Sequence, residues 1–207
     1  MPLPRGQASR PSEETPLNPY RVLQDLMQVV DRGRTIITHD SGTPRDQLAP
    51  FWEATAPRGF LGWGKSTQLG SSLGLALGAK LAEPEKLVIQ FLGDTALGMC
   101  GMDLETAARE RIPILTVLVN NGTMGGYGRH IPYAGEAYRS RYLGGDYTRV
   151  AAGLGWAAER VTEPSEILPA LQRAIACCSP DPGSTAAGRP ALVEFLTREE
   201  TRLCRPW

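Results

Sequence analysis

The chain has 207 residues, of which 22 are basic (Lys and Arg) and 22 are acidic (Asp and Glu), so its formal net charge is zero. This length supports one sizeable hydrophobic core but not two ordinary domains, which favours a single domain. A balanced charge lacks the basic surface typical of nucleic-acid-binding proteins, so we expect no DNA or RNA partner.

Cysteine usage and the N-terminal residues indicate the compartment. The four cysteines, Cys100, Cys177, Cys178 and Cys204, contain no CxxC pair and no metal-ligand spacing. The first residues lack the apolar stretch of a signal peptide, and no apolar run approaches the roughly 20 residues of a membrane helix. We therefore expect a soluble, cytoplasmic protein with no membrane association.

The N-terminal third begins with a polar segment and continues into a helix and a strand. Residues 1–16 are rich in Pro, Ser and charged side chains, which predicts a disordered tail and a folded domain over residues 17–207. The stretch NPYRVLQDLMQVVD predicts a helix with Asn18 as its N-cap and Pro19 at the first helical position. RTIITHDSG, residues 34–42, is a β-branched strand that runs into a glycine turn.

The rest of the chain alternates helices with apolar strands. STQLGSSLGLALGAKLAEPE predicts a helix with small residues on one side. KLVIQFLGD and IPILTVLVNN are continuous apolar runs, as expected of strands covered on both faces, and MDLETAARERI between them is predicted to be helical. DYTRVAAGLGW and PSEILPALQRAIACC predict two further helices, and ALVEFLT predicts a last buried strand. This alternation predicts an α/β fold, a mostly parallel sheet with helices on both faces.

An acid and an amide follow the two central apolar strands. Asp94 ends KLVIQFLGD and Asn121 ends IPILTVLVNN, and one helical crossover joins the two strands. Parallel strands present their carboxyl ends at the same sheet edge, where ligands bind, so the two side chains are expected to meet. Carboxylate, amide and backbone carbonyl oxygens suit Mg²⁺, which completes its shell with water and phosphates. The alternative is that Gly-Asp and Asn-Asn-Gly are ordinary turns.

A second phosphate-binding pattern competes with this pair. GFLGWGKS, Gly59 to Ser66, matches the P-loop pattern GxxxxGK[ST], which would make the protein a P-loop-type NTPase. A P-loop must follow a buried strand directly, whereas the residues before Gly59 are QLAPFWEATAPR, with two prolines and no β run. Lys65 is therefore predicted to be a loop residue rather than a phosphate ligand.

The ordered series of segments resembles a known family. GDT followed by a helical stretch and VNN has the layout of the metal and diphosphate motif in the C-terminal, diphosphate-binding domain of thiamine-diphosphate-dependent enzymes of the acetolactate synthase-like group. NPYRVLQDLMQVVD, LGSSLGLALGAKLA, DYTRVAAGLGWAAERVTEPSEILPAL and RPALVEFLT are similar to successive elements of that domain, over about residues 17–197. The resemblance implies the thiamine diphosphate-binding fold, with thiamine diphosphate and Mg²⁺ as cofactors.

The resemblance also implies roles for individual residues. Asp94 and Asn121 would bind Mg²⁺ through side-chain oxygens and Thr123 through its backbone carbonyl. Leu69 aligns with the bulky residue that bends the cofactor, with core packing as the alternative, and Tyr127 would face the substrate or be a surface tyrosine. The further positions implied to contact the cofactor are Thr43, Gly93, Thr95, Ala96, Gly125 and Gly126.

Thiamine chemistry in this family also needs a glutamate that contacts the aminopyrimidine ring, and it belongs to a separate pyrimidine-binding domain. None of Glu13, Glu14, Glu53 and Glu136 lies in a matching motif. The resemblance thus implies a half-enzyme, paired with a pyrimidine-domain subunit in an α2β2 hetero-oligomer, or a fragment of a longer enzyme. The catalytic glutamate is expected from the partner chain.

The activity implied is that of a thiamine-diphosphate-dependent lyase or transferase. A 2-oxo-acid decarboxylase or carboligase and a 2-hydroxyacyl-CoA lyase both remain possible, with a 2-oxo acid or an acyl-CoA as the small-molecule substrate. His39 and His130 are candidates for acid or base roles, against solvated or structural roles. The alternative function is a non-catalytic assembly subunit of the same fold.

Overall fold

The computed structural model describes residues 12–64, 66–125, 130–179 and 188–200. Within them, six strands form one sheet in the order β2-β1-β3-β4-β6-β5, and every neighbouring pair is parallel. The predicted α/β fold with a parallel sheet is therefore confirmed. The strands are β1 (Thr35–His39), β2 (Phe60–Leu61), β3 (Leu87–Gly93), β4 (Leu115–Asn120), β5 (Ala157–Val161) and β6 (Ala191–Leu196).

Eight α-helices accompany the sheet in the described part of the chain. They are α1 (Pro19–Val29), α2 (Thr43–Leu48), α3 (Ser72–Ala82), α4 (Asp94–Cys100), α5 (Leu104–Arg109), α6 (Pro132–Tyr138), α7 (Tyr147–Gly153) and α8 (Ile167–Cys178). Short 3₁₀ turns precede β1, α5 and α8. No described helix has both the length and the apolar character needed to cross a bilayer.

Both faces of the sheet are covered, which explains the continuous apolar runs of the central strands. One hydrophobic cluster joins α1 and α8 to alternate strand residues such as Phe91 and Val117. The second cluster joins α3, α5 and α7 to the intervening residues, such as Leu92 and Leu118. Because successive side chains of a strand point to opposite faces, β3 and β4 supply apolar residues to both clusters.

Helix α1 forms where the sequence predicts it. The Asn18 side-chain oxygen accepts a hydrogen bond from the backbone N–H of Tyr20 at 2.9 Å, and Pro19 occupies the first helical turn. Val22 and Leu26 are fully buried against the sheet. The amphipathic pattern and the cap are both confirmed.

The helix predicted from Ser66 begins later, at Ser72. Gly70 has φ +84°, which lies outside the helical range, so a regular helix cannot run through this residue. The buried Asp40 carboxylate accepts hydrogen bonds from the backbone N–H groups of Gly70 (2.7 Å) and Ser72 (3.1 Å), so a tertiary contact sets the first turn. Residues 66–71 are therefore an irregular connection rather than helix.

Five elements were not predicted from the sequence: β2, β5, α2, α4 and α6. Both strands lie at the edges of the sheet, and β5 carries Glu159 and Arg160, so neither has an apolar run. Helix α4 starts directly at the end of β3, upstream of the helical segment predicted between the two central strands. Of the predicted tail, residues 1–11 lie outside the described part of the chain, and the boundary at residue 17 stays a prediction.

Candidate functional site

A cavity of about 490 Å³ lies at the carboxyl ends of β1, β3 and β4. Its wall consists of the β1–α2 corner, the start of α4, the segment after β4 and the residue after β6. This is the edge at which parallel α/β sheets bind ligands. The predicted site residues that line it are Thr43, Leu69, Gly93, Asp94, Thr95, Ala96, Asn121, Thr123 and Gly125.

Asp94 lies at the point where β3 becomes α4 and is 3% exposed. One carboxylate oxygen accepts a hydrogen bond from the Thr95 N–H at 2.7 Å, and the other accepts one from the Gly122 N–H at 2.8 Å. Burial raises the pKa of the Asp94 carboxyl, although these amide hydrogen bonds act in the opposite direction. Within the described part of the chain Asp94 forms no ion pair with a basic side chain, so a cation is a natural counter-charge.

Asn121 follows β4, and its neighbour Gly122 is the residue bonded to Asp94. The Asn121 side-chain oxygen accepts hydrogen bonds from the Thr123 N–H at 3.0 Å and the Thr123 hydroxyl at 3.1 Å. Asp94, Asn121 and Thr123 are thus brought together, as the spacing predicts. Among the described residues no group of three His, Cys, Asp or Glu side chains is placed to hold a metal, so a metal here would need amide and carbonyl oxygens as well as Asp94.

Asn120, the residue before Asn121, also holds the turn after β4 in place. Its side-chain oxygen accepts a hydrogen bond from Gly122 N–H at 2.9 Å, and its amide nitrogen donates to Glu194 at 2.7 Å. Glu194 is fully buried in β6, and its other oxygen accepts a hydrogen bond from Arg160 at 2.9 Å. Neither Asn120 nor Glu194 was predicted, because the hydrogen bond that joins them links residues far apart in sequence.

Thr43 and Gly125 face each other across the cavity wall. A Cβ added at Gly125 would lie 2.6 Å from the Thr43 hydroxyl, so this approach requires glycine. Gly93 is similarly close to Pro44, since a Cβ there would lie 3.1 Å from the proline ring. A side chain at Gly125 or Gly93 would therefore crowd Thr43 or Pro44 in the cavity wall.

Leu69 lines the cavity from the segment between β2 and α3 and also packs against the second core cluster. The following residue, Gly70, is held by Asp40, so the same buried carboxylate fixes the position of Leu69. Arg45 in α2 secures this segment from its other end. Its guanidinium donates to the Ser66 carbonyl at 2.8 Å, and the Ser41 hydroxyl donates to the same carbonyl at 2.7 Å.

The two histidines have different environments. His39 is 4% exposed, packs against Phe60 with ring centroids 5.0 Å apart, and is not among the cavity residues. A Cβ at Gly62 would lie 2.0 Å from its Nε2, so the ring is enclosed and structural. His130 is exposed and lines the cavity. Two predicted site residues, Gly126 and Tyr127, lie outside the described residues.

The P-loop alternative lacks its structural context. Gly59–Ser66 includes β2, a two-residue edge strand, where a P-loop needs a buried strand before it. Residues 66–71 are irregular and α3 begins only at Ser72, so no helix N-terminus directly follows the pattern. Lys65 itself is outside the described residues.

The cavity also contains polar residues that carry no recognisable motif. Gln47 in α2 is 3% exposed and Thr197 after β6 is 7% exposed, and both line it. Their sequence neighbourhoods, RDQLAP and FLTREE, resemble ordinary helix and strand ends. No local sequence pattern distinguishes them from other helix and strand ends.

The fold and the cavity define a class, namely α/β domains that bind a ligand at the carboxyl edge of a parallel sheet. Comparison with protein families narrows it: residues 40–195 match the model described as "Thiamine pyrophosphate enzyme, C-terminal TPP binding domain". The chain belongs to this family. Thiamine pyrophosphate and thiamine diphosphate are two names for the same cofactor.

Curated relatives share the same region. The chain is 33% identical over 175 residues to the "Probable acetolactate synthase large subunit" of Methanococcus aeolicus, covering 81% of this chain and 29% of that protein. It is 32% identical over 187 residues to the "Acetolactate synthase large subunit IlvG" of Mycobacterium tuberculosis, covering 89% and 32%. A "Sulfoacetaldehyde acetyltransferase" of Alcaligenes xylosoxydans xylosoxydans is 27% identical over 164 residues, covering 77% and 26%. The chain thus spans about a third of the length of these relatives.

Proposed function

We propose that the chain is the Mg²⁺- and thiamine-diphosphate-binding part of a thiamine-diphosphate-dependent lyase or transferase, active together with a pyrimidine-domain subunit. The observation that carries this proposal is the juxtaposition of Asp94 and Asn121 at the cavity edge, through the 2.8 Å contact of Asp94 with Gly122. It rests also on membership of the C-terminal domain family.

The cavity residues fit both groups. Asp94 and Asn121 would offer Mg²⁺ a carboxylate and an amide oxygen, Thr123 would offer its carbonyl, and this is the hard oxygen set that Mg²⁺ prefers. The volume is within the range of small-molecule and cofactor sites. Thiamine diphosphate, when bound, supplies the carbon nucleophile that attacks the carbonyl of a 2-oxo acid or a related acyl donor.

The chain's own residues would hold the cofactor and shape the site. Thr95 and Ala96 at the start of α4 and the close Thr43–Gly125 contact would enclose its diphosphate end. Leu69, fixed through Gly70 and Asp40, would support the other end of the cofactor from the cavity wall. Arg45 keeps that wall in place through Ser66.

Two observations support the need for a partner. The described residues that line the cavity include no glutamate, although this chemistry needs one against the aminopyrimidine ring. Large apolar side chains are also exposed on segments that continue from the cavity wall: Trp63, between β2 and Leu69, is 61% exposed, Met99 in α4 60%, and Met102 after α4 72%. Exposed apolar surface favours a protein partner. We propose an α2β2 assembly of this chain with the glutamate-bearing chain.

The test is to purify the chain from its native cells, identify co-purifying proteins by mass, and measure bound thiamine diphosphate by thiochrome fluorescence. We expect a stoichiometric pyrimidine-domain partner and bound cofactor. A chain that stays solitary and binds no cofactor after addition of Mg²⁺ and thiamine diphosphate would contradict the proposal.

Substitution of Asp94 separates this proposal from the alternative of a non-catalytic assembly subunit. If the assembly loses carboligase or decarboxylase activity with Asp94→Ala while keeping its partner, the cofactor bound by this chain is the one used. Activity that is unchanged by Asp94→Ala would favour the assembly role.

A further inference from the structure

The cavity contains two buried polar side chains that have no hydrogen-bond partner among the described residues. Gln47 and Thr197 are more than nine-tenths buried, and neither side chain makes a hydrogen bond to any part of the chain that the structure describes. Buried amides and hydroxyls are nearly always hydrogen-bonded, because an unpaired one forfeits its hydration without replacement. A partner from outside the chain is therefore expected.

Both side chains face the cavity rather than the core. Within the described residues the one sealed side-chain nitrogen or oxygen without a partner is Nε of Arg141, so the polar atoms of Gln47 and Thr197 keep an open side. Both residues line the cavity that holds Asp94 and Asn121. A ligand or water in that cavity is what they can reach.

The position of the pair identifies which end of the cavity it serves. Thr197 directly follows β6, and its N–H donates to the Asn120 carbonyl at 2.8 Å, which places it beside Asn121. Gln47 is one helical turn after Thr43 in α2, so the two side chains share a helix face, and Thr43 contacts Gly125. Both residues therefore lie at the end of the cavity where Asp94 and Asn121 would hold a metal.

The charged residues of the cavity indicate which ligand group would accept hydrogen bonds from Gln47 and Thr197. The basic residues among its described lining are Arg45 and His130, and Arg45 is already committed to Asp46 at 2.8 Å and to the Ser66 carbonyl. An anionic group at this end would have few cationic donors, so neutral N–H and O–H groups must supply its hydrogen bonds. An amide nitrogen and a hydroxyl are such donors.

We infer that Gln47 and Thr197 donate hydrogen bonds to the diphosphate end of the cofactor, an inference that rests on the proposed function. Gln47 would donate through its amide N–H₂ and Thr197 through its hydroxyl to phosphate oxygens. They are binding residues for a diphosphate ester, and they set the preference for diphosphate over unphosphorylated thiamine.

The test compares three variants and two controls in the assembly as it purifies from native cells. Gln47→Leu and Thr197→Val keep size but remove the donors, and Gln47→Glu keeps shape while placing a negative charge beside the phosphates. Gln28→Leu and Thr55→Val, at exposed positions outside the cavity lining, are the matched controls. Calorimetric titration measures binding of Mg²⁺-thiamine diphosphate, Mg²⁺ with inorganic diphosphate, and unphosphorylated thiamine.

We expect Gln47→Leu and Thr197→Val each to weaken thiamine diphosphate and inorganic diphosphate by about tenfold or more, because each removes a hydrogen bond to a charged oxygen. Thiamine affinity and the unliganded melting temperature should not fall. Gln47→Glu should weaken diphosphate further, and the controls should match wild type.

The inference and the proposed function fail in different ways. Wild-type affinity in Gln47→Leu, Thr197→Val and Gln47→Glu would overturn the inference alone, leaving water as the partner of both side chains. An equal loss of thiamine and diphosphate binding would also overturn it. A wild-type assembly that binds no thiamine diphosphate would overturn the proposed function.

Discussion

Single buried carboxylates organise this molecule at the residue scale. Asp40 and Glu194 are both fully buried, and each fixes one side of the cavity through backbone or amide groups. Asp40 holds the segment that carries Leu69, and Glu194 holds Asn120. Such groups are stable only while all their lone pairs are used, which makes them sensitive to substitution.

Substitution of Glu194 by Ala should lower the free energy of unfolding by about 3 kcal/mol, because it leaves Asn120 and Arg160 without their shared buried partner. Urea unfolding followed by tryptophan fluorescence measures the loss. Glu159→Ala is the matched control in the neighbouring strand β5, since its ion pair with Arg173 is partly exposed and should be worth less than about 1 kcal/mol. Equal losses in the two variants would contradict the role assigned to Glu194.

Cys100 makes stability depend on alkaline pH. Burial in α4, with smaller contributions from the charges of Asp40 and Asp103, raises the pKa of the Cys100 thiol from 9.0 to about 12. Between these values the unfolded chain has lost the proton and the folded chain keeps it, so stability falls as pH rises. This site contributes a slope of up to about 1.4 kcal/mol per pH unit.

The alanine variant isolates that contribution. Unfolding free energies of wild type and Cys100→Ala, measured from pH 7 to pH 11, should diverge only above about pH 9, where the slope of the variant becomes shallower. The two proteins should show the same pH dependence near pH 7, where the thiol is protonated in both states. Parallel curves over the whole range would show that the thiol ionises freely in the folded chain.

At the scale of elements, the surroundings of a glycine determine whether a larger residue can replace it. Gly62 follows the edge strand β2 directly below the His39 ring, whereas Gly74 lies in α3 with open space above it. The same chemical change should therefore have opposite effects. Gly62→Ala should destabilise the protein by about 2 kcal/mol through overpacking, and Gly74→Ala should stabilise it by about 1 kcal/mol through helix propensity.

Thermal unfolding of the two glycine variants beside wild type gives the comparison directly. We expect the melting temperature to fall for Gly62→Ala and to rise for Gly74→Ala. A rise in both variants would mean that the His39 ring can move aside, and that its enclosure is not a fixed feature of the β1 edge.

Elements were predictable from sequence where one local pattern was enough. The central strands β3 and β4 are apolar on both faces, and α1 has its cap and amphipathic face, so these were found. The edge strand β5 carries Glu159 and Arg160 and gains its identity only by pairing with β6. The start of α3 depends on Asp40, more than 30 residues earlier, and no local pattern contains that contact.

The residues of the candidate site were likewise predictable only where a local pattern marked them. Asp94 and Asn121 follow two recognisable strands, so topology alone brings them to one edge. Gln47, Thr197 and Glu194 reach that edge from α2 and β6, whose approach is a consequence of the complete sheet order. Their roles depend on burial and on contacts between distant segments, which no local sequence pattern contains.

At the scale of the whole molecule, the sheet order places most of the cavity wall on segments that are separate in sequence. β1, β3, β4 and β6 are adjacent in the sheet, and each delivers its following residues to the same edge. A ligand that contacts all of these segments connects them, so its binding is coupled to global stability. Unfolding of the chain must release it.

Addition of Mg²⁺ and thiamine diphosphate should therefore stabilise the assembly by mass action. At a free cofactor concentration of about 100 times Kd, the free energy of unfolding should rise by about 2.7 kcal/mol, and EDTA should reverse the gain if the metal is required. Asp94→Asn should abolish the stabilisation, because an amide replaces the carboxylate that would bind the cation. Asp103→Asn, an exposed acid that follows α4, should retain it. Stabilisation by thiamine diphosphate that survives EDTA and Asp94→Asn would show that the cofactor binds without a metal at this edge, and would restrict Asp94 to its hydrogen bonds with Thr95 and Gly122.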